Sequence, residues 1–178
     1  RTQGRLGRPA EMSRGSSGHG KRGTARLAAV QALYQVEFTH AFAAGVIEEF
    51  ARHRFSDPGA DDAMVPAKLD AALFADIVNG VVDRLPDLDA MIAPALAEGW
   101  RVERLDPGLR ACLRAGAFEL VARADVPARA AIDEYVGVAR RFFGGSEAGV
   151  VNAVLDKIAR RLRPGEFEPG HVGSSAPG

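Results

Sequence analysis

Residues 105–143 read LDPGLRACLRAGAFELVARADVPARAAIDEYVGVARRFF, and this stretch decides the fold. It predicts two amphipathic helices joined by a short turn. Asp106 is placed to cap the first, and Pro107 then stands at the first helical position, where a missing N–H costs nothing. Leu109, Cys112, Leu113, Gly116, Ala117, Leu120 and Val121 recur at helical spacing, so one face is apolar. Val126-Pro127 ends the turn. Ile132, Tyr135, Val136, Ala139, Phe142 and Phe143 give the second helix its buried stripe. Gly116 and Ala117 are small enough to let a partner helix approach closely. The pair is expected to form the core on which the other helices pack.

Working outward, the same period continues on both sides. A helix is predicted over 146–162, capped by Ser146, with Val150, Val151, Val154, Leu155, Ile158 and Leu162 inward. Arg160, Arg161 and Arg163 complement its negative end, and Pro164-Gly165 terminates it. Upstream, a helix is predicted from a cap at Thr24, burying Leu27, Val30, Leu33, Tyr34 and Phe38. Others are predicted over 43–54, 67–85 and 87–97, the last kinked at Pro94 and stopped by Gly99. Trp100, Val102 and Leu105 should cover the start of the central pair. Hydrophobic residues make up 47% and aromatic residues only 7%, a balance that suits packed helices better than sheets. The fold class is all-α with about seven helices. Residues 1–20 and 164–178 carry no hydrophobic period and are expected to be disordered tails around a helical domain at 21–163.

Zero net charge hides an asymmetry. Arg1, Arg5, Arg8, Arg14, Lys21, Arg22 and Arg26 face only Glu11 within residues 1–26, so the body of the chain is net acidic. A basic arm on an acidic body points to an anionic partner, most simply nucleic acid. No apolar run is long enough to span a bilayer, so no membrane association is expected. The single cysteine, Cys112, lies on an apolar face and reads as a core residue; a cytoplasmic protein is the natural inference. His19, His40, His53 and His171 are scattered without metal-binding spacing. No phosphate-binding loop, dinucleotide fingerprint or nucleophile elbow is present, and Asp133 and Glu134 point about 100° apart on a helix. Neither an enzyme nor a bound cofactor is expected. The turn Phe143-Gly144-Gly145-Ser146 precedes a helix and offers N–H groups to a phosphate, although such turns more often just join helices.

Several segments, taken in order, carry a resemblance: KRGTARLAAVQALYQVEF at 21–38, FADIVNGV at 74–81, LRACLRAGAFEL at 109–120, VPARAAIDEYVGVARRF at 126–142 and VVNAVLDKIARRLRP at 150–164. Together they resemble the NusB family of bacterial transcription antitermination factors over about residues 21–163. The resemblance implies two three-helix bundles plus an extra helix. It implies pairing with NusE, the ribosomal small-subunit protein, and binding of boxA RNA in nascent rRNA transcripts within the RNA polymerase antitermination complex. An amphipathic surface of this kind can also pair with a second copy as a homodimer.

Carried onto this chain, the family's basic lead-in falls on Lys21, Arg22 and Arg26, expected to meet RNA phosphates. Tyr34 matches a tyrosine near the RNA and partner surfaces, though a core ring with its hydroxyl outward is an equal reading. The family match also raises the phosphate reading of the turn at Ser146. Glu103, Arg104 and Arg110 fall where the family meets NusE, with a surface ion-pair role as the alternative. Arg114, Glu119, Glu134 and Asn152 match strong family positions and read as polar ties between helices. Gly23, Thr24 and Gly149 dilute the family's charges; Arg14, Arg140 or Arg141 are candidates to compensate. That dilution motivates the competing reading, a protein scaffold that binds NusE without its own RNA contact.

Overall fold

The structure, a computed structural model, describes residues 17–54 and 69–169. Seven α-helices and no strand occur among them: α1 (Ser17–Thr39), α2 (Ala43–Arg54), α3 (Ala71–Asp83), α4 (Leu85–Ile92), α5 (Pro107–Ala122), α6 (Ala128–Phe142) and α7 (Gly145–Leu162). Helices α1–α3 pack together as one group and α5–α7 as another; α4 lies against α5 and α7. The expected pair of three-helix bundles with an extra helix is what the chain forms.

Helix α5 sits at the centre because it is apolar nearly all round. It packs against α1, α3, α4, α6 and α7, and residues from Gly108 to Leu120 are buried on several of its sides. Asp106 caps it as expected, its Oδ1 accepting from Gly108 N at 2.8 Å and Leu109 N at 3.3 Å. Two glycines set how close its neighbours come. A Cβ on Gly116 would lie 2.6 Å from Leu155 Cδ1 of α7, and one on Gly80 of α3 would lie 2.2 Å from the Phe118 ring. Both distances are far inside contact, so the crossings need glycine there. Cys112 is fully buried, its Sγ 3.5 Å from the Tyr135 carbonyl, and burial pushes its thiol up to about 12.

The boundaries depart from expectation at four places. Helix α1 is already helical at Ser17, so Thr24 is an interior residue; its hydroxyl donates to the Gly20 carbonyl one turn back, at 2.8 Å. Helix α3 begins later than predicted because Asp70 caps it, accepting from Leu73 N. Pro94 lies in a 3-10 turn at 93–95 rather than a kinked continuation of α4. Helix α7 begins at Gly145 after Gly144 at φ +96°, so Ser146 is inside the helix and caps nothing.

The stretch predicted to be tail from 164 is folded at its start. Residues Pro164–Phe167 form a 3-10 turn that returns to the α5–α6 connection. Arg163 donates to the carbonyls of Leu120, Arg123, Val126 and Glu119, and to the Glu166 carboxylate. Glu166 Oε2 accepts from Ala128 N at 2.7 Å, supplying the cap that Pro127 cannot. Phe167 lies between the guanidinium groups of Arg129 and Arg160. Of the expected tails at 1–20 and 164–178, residues 1–16 and 170–178 lie outside the described residues, as do residues 55–68.

Candidate nucleic-acid and partner interface

Helix α1 carries most of the residues singled out from the sequence, and its faces sort them. Lys21 and Arg22 are exposed. They line a cleft with Asp70, Asp125, Pro127 and Glu134. The Lys21 carbonyl accepts from Asp70 N at 3.2 Å, which ties this end of α1 to the start of α3. The Asp125 carboxyl is held low chiefly by its hydrogen bond from Arg123, with a smaller contribution from the charge of Arg22.

Arg26 is a correction. It was expected to meet RNA phosphates, but one turn further along the same face than Arg22 it is covered by α5 and α6, and Arg26 is only 3% exposed. Its Nε lies 2.7 Å from Glu119 Oε2 and its Nη2 2.9 Å from Oε1, a bidentate pair with a carboxylate that is fully buried. Nη1 is 3.8 Å from Glu134 Oε2. Desolvation alone would lower the Arg26 pKa; the hydrogen-bonded Glu119 carboxylate more than offsets this, and the pKa is raised. The Tyr135 hydroxyl is buried beside this pair without a hydrogen bond of standard geometry, and burial pushes its phenol well up.

A second correction concerns Arg110, expected at the partner surface. Its guanidinium holds the Glu37 carboxylate and donates to the carbonyls of Val102 (3.0 Å) and Leu105 (3.2 Å). Arg114 holds the other side of Glu37 at 3.0 Å and clasps Asp89 at 2.8 and 2.7 Å. Glu37 and these arginines therefore tie α1 to α5 and α4, leaving Arg110 little to offer a partner. Glu103 and Arg104 are exposed. Glu103 shares a cleft with His40 and Ala41 at the end of α1, whereas Arg104 opens onto a different one beside Trp100. Asn152, expected to tie helices together, is exposed and makes no hydrogen bond among the described residues.

At Ser146 the hydroxyl donates to Glu147 Oε2 at 2.6 Å. That places a carboxylate at the start of α7, which the helix dipole favours but which repels a phosphate there. The Ser146 contact is the main cause holding the Glu147 carboxyl below its usual range. A phosphate at the turn before Ser146 would share the helix start with this carboxylate.

Tyr34 is 42% exposed and stacks on Phe38, with centroids 5.8 Å apart and planes 10° from parallel. Phe38, expected in the core, is 71% exposed, and Phe42 is 89% exposed. Tyr34, Phe38, Phe50, Phe142 and Phe143 line a groove of about 500 Å³ between α1 and the α6–α7 turn. The family match puts Tyr34 near such a surface, but Phe38, Phe142 and Phe143 beside it read only as core in the sequence. Tyr34 and Phe38 are four apart on a helix whose Ala-rich turns bury other faces as well, so period alone marked them as core. Arg140 and Arg141, named as compensating cations, are exposed at the end of α6, and Arg141 lines a cleft with Gly20, Gly23 and Glu134. Arg14 lies outside the described residues.

An all-α scaffold that sets exposed cations and an aromatic groove along one helix, with Arg26, Arg110 and Arg114 held in ion pairs, defines a helical binding protein. The chain belongs to the NusB family, whose model matches residues 23–160. The transcription antitermination protein NusB of Nitrobacter hamburgensis is 52% identical over 147 residues, 83% of this chain and 91% of that one. The one from Caulobacter vibrioides is 50% identical over 142 residues, 80% and 94% of the two chains. The solved structure of T. maritima NusB superposes with a TM-score of 0.67 at 28% identity, covering 83% of this chain and 97% of its own. A chain in the crystal structure of antitermination factors NusB and NusE in complex with dsRNA gives 0.64 at 21% identity, over 78% of this chain and 96% of its own, a likeness of fold alone. No helix of the described residues is long and apolar enough to cross a membrane.

Proposed function

We propose that this chain is a transcription antitermination factor that binds boxA RNA of nascent rRNA transcripts together with NusE, and so helps RNA polymerase read through terminators. The observation that carries this reading is identity of about half across more than four-fifths of the chain with a transcription antitermination protein NusB. Its place of action would be the cytoplasm, where transcripts emerge. Lys21 and Arg22, exposed towards the start of α1, are the phosphate contacts, with Arg141 in the adjoining cleft; Arg26 supports the fold instead. The aromatic groove of Tyr34 and Phe38, with Asp106 its one charged lining residue, suits a protein surface, and NusE is its occupant in this reading, with Glu103 at the cleft near the end of α1. In the absence of NusE the same groove is the natural seat for a second copy of the chain.

A filter-binding assay with NusE and boxA RNA tests this. Affinity should fall steeply with salt, and the Lys21→Ala, Arg22→Ala pair should weaken binding and flatten the salt slope by about two charges. A scrambled RNA bound as tightly as boxA would reject the reading. The scaffold alternative is favoured by one feature: Asp70, Asp125 and Glu134 surround the lead-in while Arg26 is withdrawn. It requires tight NusE association with no boxA preference.

A further inference from the structure

We infer that the cleft beside Trp100 is a base-stacking subsite for single-stranded RNA, an extension that rests on the RNA-binding reading above. Trp100 follows the 3-10 turn at 93–95 and is 49% exposed, a large ring left open where Val102 and Leu105 beside it are buried. It lines a cleft of about 430 Å³ floored by Leu105, Leu109 and Val150 and flanked by Arg101 and Arg104. Neither guanidinium has an ion pair or hydrogen bond among the described residues, in contrast to Arg26, Arg110, Arg114 and Arg163.

Two carboxylates, Asp106 and Glu147, also line the cleft, so its two cations are matched by two anions. Asp106 accepts the N–H groups of Gly108 and Leu109, and Glu147 accepts the Ser146 hydroxyl. Trp100 is the exposed ring of this cleft, and Arg101 and Arg104 stand in its lining without an ion-pair partner among the described residues. Stacking platforms for single strands combine these features, because every base has a π-face and every linkage a negative charge. Position strengthens the assignment. The cleft shares Asp106 with the aromatic groove, which is bordered by Phe142 and Phe143. The cleft of Gly20 and Arg141 meets that of Lys21 and Arg22 at Glu134. A strand held at Lys21 and Arg22 that passes the end of α6 and rounds the α6–α7 turn arrives at Trp100. A protein partner would use the same ring and arginines as anchors; the exposed cations that run from Lys21 and Arg22 past Arg141 to Arg101 and Arg104 favour a polyanion.

Trp100 is the only tryptophan in the chain, so its emission reports directly on the cleft. Titration of the full chain with single-stranded boxA RNA should quench that emission in step with binding followed by anisotropy of a labelled RNA. A duplex of the same sequence should leave it unchanged. Trp100→Ala should weaken single-strand binding by about tenfold, Trp100→Phe should retain most of it, and joint Arg101→Ala, Arg104→Ala should flatten the salt slope by about two. Melting temperature checks that the variants fold, and quenching in the unmodified chain needs no variant. RNA that binds without quenching, and binds Trp100→Ala equally well, overturns the subsite while leaving the antitermination reading intact. Failure of boxA RNA to bind at all removes both. Loss of NusE affinity in Trp100→Ala, with RNA affinity unmoved, assigns the cleft to a protein contact and overturns it.

Discussion

Removing the Arg26 guanidinium strands the Glu119 carboxylate in the core, because no water reaches it and no other cation replaces the bidentate contact. Arg26→Ala should therefore cost about 3–5 kcal/mol, seen as a lower midpoint of urea denaturation, while Arg26→Met with Glu119→Leu should cost far less. The salt slope of boxA binding by the folded protein should not change. Cys112 gives a second test at this scale. Its folded pKa, about 12, stands above its ordinary value of 9.0. Native protein thus keeps the proton that the unfolded chain releases, and the stabilisation, complete below pH 9, is lost between 9 and 12. Cys112→Ala should show a shallower alkaline loss of stability, and a thiol reagent at pH 8 should label the unmodified chain only on unfolding. The sequence made Cys112 legible, since its apolar face was enough. Arg26 was not legible: its partner lies 93 residues away, and two arginines four apart share a helix face and read alike until the neighbouring helices are seen to cover only one of them.

Among the elements, the connection between α5 and α6 is held from outside. Arg163 donates hydrogen bonds to the carbonyls that α5 leaves open at its C-terminus, and Glu166 accepts one from the first N–H of α6. Arg163→Ala should cost about 2–3 kcal/mol, with the first amides of α6 losing protection from hydrogen exchange, because several buried acceptors go unmet together. Helix number, the central pair and the Asp106 cap could be read from periodicity and capping chemistry. The returning turn at 164–167 could not. Pro164-Gly165 says only that a helix stops, and a cluster of arginines at a helix end has a ready local explanation in the dipole. Where the chain goes after a stop is decided by carbonyls left open on another helix, and these have no signature in the sequence.

For the molecule as a whole, the two bundles are joined by Glu37 of α1, shared between Arg110 and Arg114, with Asp89 of α4 completing the set. Glu37→Gln should lower stability by about 1–3 kcal/mol. Glu48→Gln, which breaks the exposed pair with Arg52, should stay within about 0.5 kcal/mol. Urea denaturation of both variants checks the contrast. At this scale the charge asymmetry and family motifs made an RNA-binding surface legible, but not its layout, because exposure depends on which turns of α1 the other bundle covers. The turn held by Arg163 has a consequence for synthesis. Leu120 and Arg163 are 43 residues apart, so the α5–α6 corner leaves the ribosome well before the side chain that seals it. Nascent chains halted short of residue 163 should leave that corner open to protease, and those extended past 167 should close it.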